Sequence, residues 1–328
     1  MSDAAPTARG GGPDACAAHG PAPQPARRRR RDTHAPLPGP RRGHTRGVLS
    51  LQDAAFSAAE LARFRDYQRR SYAVLEEVGA GLAPGDSERE ATRRLHRGLR
   101  AAGAQAYFHV PVALFGERTS YPGDFGALGA LPTDRRLAAG EPIILDAAPI
   151  FDGYTVDTSL ALRHGEAGVP RALDQALAEL RAAICAQVNA GHTMRAITRA
   201  VDRDLTARGL HNCHRKHIGA VLGHRVTRET RPYLRGRAVW GLAPRQVAWF
   251  LARTAQAARG RPQLTPNWNH TRHCDCAPQD GLWAIEPHVA AGGVGAKFED
   301  LLVIEHGRAY YLDDDLPHTR RWRATGLA

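Results

Sequence analysis

Asp146 and Asp157 stand eleven residues apart in I-I-L-D-A-A-P-I-F-D-G-Y-T-V-D, a segment otherwise rich in apolar and β-branched residues. Asp152-Gly153 at its centre is a strong signal for a two-residue hairpin turn. With that turn Phe151 faces Tyr154, Asp146 falls opposite Ser159, and Asp157 lies one diagonal step away. Side chains alternate along a strand, so Asp146 and Asp157 share one face. Asp152 belongs to the turn itself, where its own backbone hydrogen bonding favours it. The other two acids need an explanation. Two carboxylates on one apolar face repel each other and are costly to desolvate unless a cation or a shared proton compensates. A divalent metal supplies that charge economically. The plainer alternative, from the hairpin alone, is two solvated acids on an exposed sheet face.

Two further strand-like segments carry acids: L-W-A-I-E-P-H with Glu286, and K-F-E-D-L-L-V-I with Glu299 and Asp300. A lone acid on a strand is usually a salt-bridge partner. Four acids on three core segments point instead to a ligand set. Upstream, His214, His217 and His224 in H-R-K-H-I-G-A-V-L-G-H offer imidazole. Carboxylates with one imidazole form a hard to borderline site suited to manganese, iron, cobalt or zinc. Two rival sites are weaker. His270, His273, Cys274 and Cys276 lack the separated ligand pairs of structural zinc, so a loop is expected. Asp313-Asp-Asp315 has no ligand-spaced partner and reads as a solvated turn.

The elements that must position these residues show as periodicity. Ser57-x-x-Glu60 and Ser87-x-x-Glu90 are capping boxes, the first followed by Leu61, Phe64, Tyr72, Leu75 and Val78 at helical spacing, the second by Leu95 and Leu99. Strand-like residues 107–114 lead to the acid-bearing hairpin. The order recurs: Leu173, Leu177, Leu180, Ile184 and Val188 mark a long helix, and Thr193 opens another carrying Ile197, Val201 and Leu205. Two helices then strands, given twice, predict a duplicated α+β unit whose curved sheets meet over one site. Residues 225–282 break the pattern as an insertion, with a helix expected over 241–258 and loop over 259–281.

In combination these motifs resemble the pita-bread metallopeptidases, which include methionine aminopeptidases, Xaa-Pro aminopeptidases and dipeptidases, and creatinases. The resemblance runs over roughly residues 50–315, on the two aspartates, D-G-Y, W-A-I-E-P-H and K-F-E-D-L-L-V-I. It implies an α+β pita-bread fold and a ligand order Asp146, Asp157, His, Glu286, Glu299 around two divalent ions (Mn, Co, Fe or Zn). The seven-residue step from His217 to His224 favours His217 as the ligand, with His224 contacting substrate. Gly223 before His224 favours the reverse, and His224 is the assignment adopted. The family also places a catalytic His before the first ligand strand, where residues 126–132 hold none. His109 is its spatial substitute, although a histidine satisfied in the core is the plainer reading. On this resemblance Asp157 and Glu299 bridge the ions, Asp146 chelates one, and His224 with Glu286 holds the other. A hydroxide bridging the ions attacks a scissile carbonyl, Glu286 shuttles its proton, and His217 or His109 steadies the oxyanion or positions substrate.

The rest of the chain bounds this reading. Of 328 residues, 1–47 are Pro-, Gly-, Ala- and Arg-rich and are expected to be a disordered basic tail, with 48–328 the catalytic domain. Nine Arg against three Asp in the first fifty residues account for half of the +12 formal charge, so nucleic acid is expected only at the tail. No apolar run has the length of a membrane span. Five cysteines without framework spacing suit a reducing cytoplasm. The expected activity is a metal-dependent aminopeptidase or Xaa-Pro peptidase acting on a peptide or small amide, with a homodimer left open. The alternatives are a pita-bread binding module without catalysis and a creatinase-type C–N hydrolase.

Overall fold

The structure, a computed structural model, describes residues 51–165, 168–230 and 242–327. The expected tail over 1–47 therefore lies outside the described residues.

Both predicted capping boxes form. Ser57 Oγ accepts from the Glu60 amide and starts the helix Ala58–Ala80; Ser87 does the same for Glu88–Ala101. In each, the Glu carboxylate returns to the cap's own amide, so two otherwise orphaned donors are satisfied at each helix start. The second pair, Arg171–Asn189 and Met194–Ala207, follows the same order, with Thr193 capping the latter.

The strands form antiparallel sheets. Val112–Phe115, Pro142–Ala147 and Thr158–Arg163 make one. A five-stranded sheet runs in the order Asn267–Asn269, Val221–Arg225, Gly281–Ile285, Asp300–Glu305, Arg308–Tyr311. Val294–Lys297, His288–Ala291 and His211–Asn212 make another. Asp152 and Gly153 turn the hairpin at φ 48° and 84°, the doubly left-handed conformation that Asp-Gly suits. Phe151 pairs with Tyr154 and Asp146 with Ser159, as the turn predicted.

Alternation along these strands sorts two cores. Ile143, Leu145 and Leu160 pack with Leu75, Leu95 and Leu99 of the first helix pair. Ile144 joins Leu177, Ile184, Ile197 and Val201 of the second pair. The strand Asp300–Glu305 divides the same way, Leu301 and Val303 to the first core, Leu302 and Ile304 to the second. Strands buried on both faces read as continuous apolar runs, and polar side chains within them are exceptions that need a partner.

Two expectations change. Residues 259–281 are not all loop: Asn267–Asn269 adds an edge strand beside Val221–Arg225, and Trp268 is fully buried. A three-residue run centred on one Trp has no period to reveal it. Nor is Asp313 solvated. Its carboxylate is 6% exposed and is gripped by Arg69 through Nε at 2.5 Å and a second nitrogen at 2.9 Å. The expected helix over 241–258 is present as Pro244–Ala258.

Candidate metal centre

The four acids come together from separate elements. Asp146 is the penultimate residue of its strand and Asp157 immediately precedes the strand paired with it. Glu286 follows Gly281–Ile285, its amide donating to Leu222 O at 2.9 Å, and Glu299 sits between the strands Val294–Lys297 and Asp300–Glu305. His224 lies on Val221–Arg225, opposite Ala284. All five side chains are buried, at 1–7% exposure.

Asp157 stands between two imidazoles. His109 Nε2 is 3.3 Å from its Oδ1, and His224 Nε2 is 2.9 Å from its Oδ2. The other ring nitrogen of each histidine donates to a main-chain carbonyl, Val110 O for His109 and Arg225 O for His224. A carbonyl only accepts, so both rings are fixed with Nε2 facing the acids, the orientation that metal-ligating histidines adopt. His109 is also 3.5 Å from Asp146 Oδ1. It is therefore not a satisfied core histidine: its ring is 38% exposed and points into the acid cluster. His109, Asp146, Asp157 and Glu299 each place a ligand atom within 4.8 Å of the others, the metal-compatible grouping among the described residues.

His217 is oriented differently. His288 Nε2 donates to Thr119 O at 2.7 Å, which leaves His288 Nδ1 to accept from His217 Nε2 at 3.1 Å. His217 Nδ1 donates to Glu286 Oε2 at 2.9 Å. Both nitrogens of His217 are thus engaged. Tyr121 closes this side, its ring edge-on to His288 at 4.5 Å and tilted against His217 at 5.4 Å.

A lysine completes the cluster. Lys297 Nζ donates to Asp146 Oδ2 at 2.8 Å and to Glu299 Oε1, and lies 3.7 Å from Glu286 Oε2. Burial would lower its pKa, but Asp146, Glu299 and Glu286 hold it well above the usual lysine range. The acids respond unequally. Burial, with Asp146 and Asp157 adding repulsion, pushes Glu299 well above the carboxylate range. Burial acts the same way on Asp157, yet His109 and His224 outweigh it and hold Asp157 well below. Glu286 is lowered to about 2 against its own burial, chiefly by His217. His109 is raised to about 9, the desolvation that would depress it being outweighed by Asp146 and Asp157. Asp146 Oδ1 and Glu299 Oε2 are buried without a hydrogen-bond partner. Orphaned buried carboxylate oxygens beside an Nε2 are what a divalent ion would satisfy, so the residues present fit such an ion.

Lys297, His288 and Tyr121 were not anticipated from sequence. For two of them the signal was present: Lys297 is two residues from Glu299 and His288 two from Glu286, a spacing that puts neighbours on one face of a strand. The rival cysteine cluster makes no site. Cys274 Sγ is buried against Asn267 O and Asn269 Oδ1.

Two helix-then-strand halves with buried acids gathered between them define a pita-bread hydrolase fold. A model of metallopeptidase family M24 matches residues 62–306, and the chain belongs to that family. Similar solved structures include an X-Pro aminopeptidase from Thermotoga maritima MSB8 (15% identity, TM-score 0.56, covering 79% of this chain and 62% of that one). A prolidase from Pyrococcus furiosus (14%, 0.55, 79% and 65%) and an Xaa-Pro dipeptidase from Bacillus anthracis (16%, 0.54, 79% and 62%) are alike to the same degree. At these identities the likeness is one of fold, and the chain spans less than two thirds of each of those chains. No curated protein matches it. Among the described residues no helix is long and apolar enough to cross a membrane.

Proposed function

We propose that this chain is a divalent-metal-dependent peptidase that cleaves short peptides, of the aminopeptidase or Xaa-Pro type. The observation that supports it is the convergence of His109, Asp146, Asp157 and Glu299, each with a ligand atom within 4.8 Å of the others, while Asp146 Oδ1 and Glu299 Oε2 are buried and unpartnered. The family membership agrees with it. In the two-ion arrangement that the resemblance implies, a second position would use Asp157 Oδ2, Glu299, Glu286 and His224. The orientation of His224 Nε2 favours it over His217 as the imidazole there.

A divalent ion so held supplies acidity to a water molecule and polarises a substrate carbonyl. The remaining work falls to side chains. Glu286, a carboxylate kept ionised by His217, is placed to take a proton from the attacking water and return it to the leaving amine. His217, held by His288 and Thr119, is a rigid donor that orients the Glu286 carboxylate for that transfer. Tyr121 and His288 wall this side against water. The four cysteines described are unpaired, which suits the cytoplasm as the working compartment.

The test is release of amino acids from a panel of short peptides with and without proline at the second position. Metal-stripped protein should be inactive, with Mn²⁺ or Co²⁺ restoring turnover in the wild type and not in Asp157→Asn. Equal turnover in stripped and reloaded protein would overturn the reading.

A further inference from the structure

Three rings meet beside the acid cluster. Phe108 lies 5.2 Å and Phe250 6.1 Å from His224 between ring centroids, and the two phenylalanines are 5.5 Å from each other. Both phenylalanines are only half-buried, and the side chain of His109, the residue after Phe108, is 38% exposed. Apolar ring surface is thus left accessible next to the two histidines that face the acids. Phe250 comes from the helix Pro244–Ala258, inside the stretch 225–282 that breaks the repeated helix-then-strand order. That helix is fastened towards both ends. The Ala243 amide donates to Tyr107 O at 2.8 Å, which ties its start to the strand Ala106–Tyr107 leading into Phe108. Thr254 Oγ1 accepts at 3.1 Å from Asn267 Nδ2, and Asn267 is the residue paired with His224.

We propose that Phe250 and Phe108 form the recognition surface for the side chain of the substrate residue whose carbonyl is attacked, so that the inserted helix makes the chain selective for peptides with a large apolar residue, aromatic or branched, at that position. The inference rests on the metal-dependent reading above and deepens it. Chemistry fixes the position. The carbonyl carbon under attack is bonded directly to the Cα on its N-terminal side, whereas the next residue is reached only through the scissile nitrogen. The side chain nearest the histidines is therefore that of the N-terminal neighbour. The rings supply what a large apolar side chain needs, a surface on which to leave water and edges that favour contact with another ring. Glycine leaves that surface uncovered. Neither ring carries a hydrogen-bonding group, so a carboxylate side chain pressed against them gives up its hydration without replacement. The two anchors of the helix matter because a wall fixed before substrate arrives costs no ordering on binding.

The test has a binding arm and a turnover arm, both on the full-length chain. Zn²⁺-loaded protein is titrated calorimetrically with L-phenylalaninamide and with glycinamide, and Mn²⁺-loaded protein is assayed on tripeptides that differ only in an N-terminal Phe, Leu, Gly or Glu. The wild type should bind the phenylalanine amide at least about tenfold more tightly than the glycine amide, and its kcat/KM for the Phe and Leu peptides should exceed that for Gly by about 10- to 100-fold, with Glu lowest. In Phe250→Ala both preferences should largely vanish while bound zinc and turnover of the Gly peptide stay near the wild type, and Phe250→Leu should restore the preference for Leu over Gly. Each preference is a ratio within one variant, so a general loss of folded protein cancels. Should Phe250→Ala fail to fold, by circular dichroism, the wild-type ratios and Phe250→Leu decide. Equal binding of the two amides by the wild type, or preferences unchanged in Phe250→Ala, overturn the inference and leave the metal-dependent reading standing. The binding preference without turnover of any peptide overturns the peptidase reading and leaves the recognition surface standing.

Discussion

His217 and His288 are joined ring to ring, Nε2 to Nδ1 at 3.1 Å, and the far nitrogen of His288 is anchored on Thr119 O at 2.7 Å. The chain Thr119–His288–His217–Glu286 runs from a main-chain carbonyl to an acid of the cluster, so a backbone group sets the direction in which His217 can donate. Burial, with the charges of His217 and Lys297 added, holds His288 well below the usual imidazole range, so it stays neutral and can accept.

Removing His288 strands groups at both ends. In His288→Ala, Thr119 O and His217 Nε2 lose their partners inside the protein, which costs about 1–3 kcal/mol for each group left unsatisfied. Urea unfolding should register that loss. Peptide turnover should fall in kcat while metal content stays as in the wild type, since His288 touches none of the ligand oxygens. Loss of bound metal in this variant would contradict the role assigned to it.

Gly295 gives a second prediction. A Cβ there would lie 1.9 Å from Thr119 O, a main-chain atom that cannot step aside, while the Gly295 amide donates to Thr119 Oγ1 at 2.9 Å. Gly295→Ala must therefore separate the strand that carries Lys297 from the turn that carries Thr119. Overpacking of this kind costs about 1–3 kcal/mol, occasionally more. A thermal melt within a degree of the wild type would contradict the packing described.

Metal removal should destabilise as well as inactivate. An ion that binds only the folded chain adds about 2.7 kcal/mol when its free concentration is a hundred times its Kd. Calorimetry with and without chelator should show the difference in the wild type, and little or none in Asp157→Asn.

The Arg69–Asp313 clamp predicts a pH signature away from the metal. Burial would raise Asp313, but its hydrogen bonds from Arg69 leave it below its ordinary value of 3.8. A depressed carboxylate contributes stability that is fully present above the unfolded pKa and is lost as pH falls through the folded one. The stability gap between wild type and Asp313→Asn should therefore hold steady from neutral pH down to about pH 5 and narrow below the ordinary carboxylate pKa. A gap that widened on acidification would contradict the sign.

Much of this site was legible because strand alternation is a two-residue code. The Asp152-Gly153 turn sets the register, and the register sets the pairing of Asp146 with Ser159 and the side on which Asp157 emerges. The capping boxes located the first two helices for an equally local reason. Lys297 was harder to read, because a lysine beside a glutamate on a strand is ordinarily a solvated pair. Its meaning depends on Asp146 arriving from a strand 151 residues away. For His109 the sequence left two readings open, since nothing local says whether it faces two acids or the core. The edge strand Asn267–Asn269 is only three residues long, below the length at which a period can be counted.

The central claim is that an ion sits at one place in the fold. The most direct measurement is an anomalous difference map from crystals of the Mn²⁺-loaded chain, collected where manganese scatters anomalously. The account predicts a peak bounded by His109, Asp146, Asp157 and Glu299. No peak among these four residues, or a peak lying only elsewhere in the chain, would contradict it.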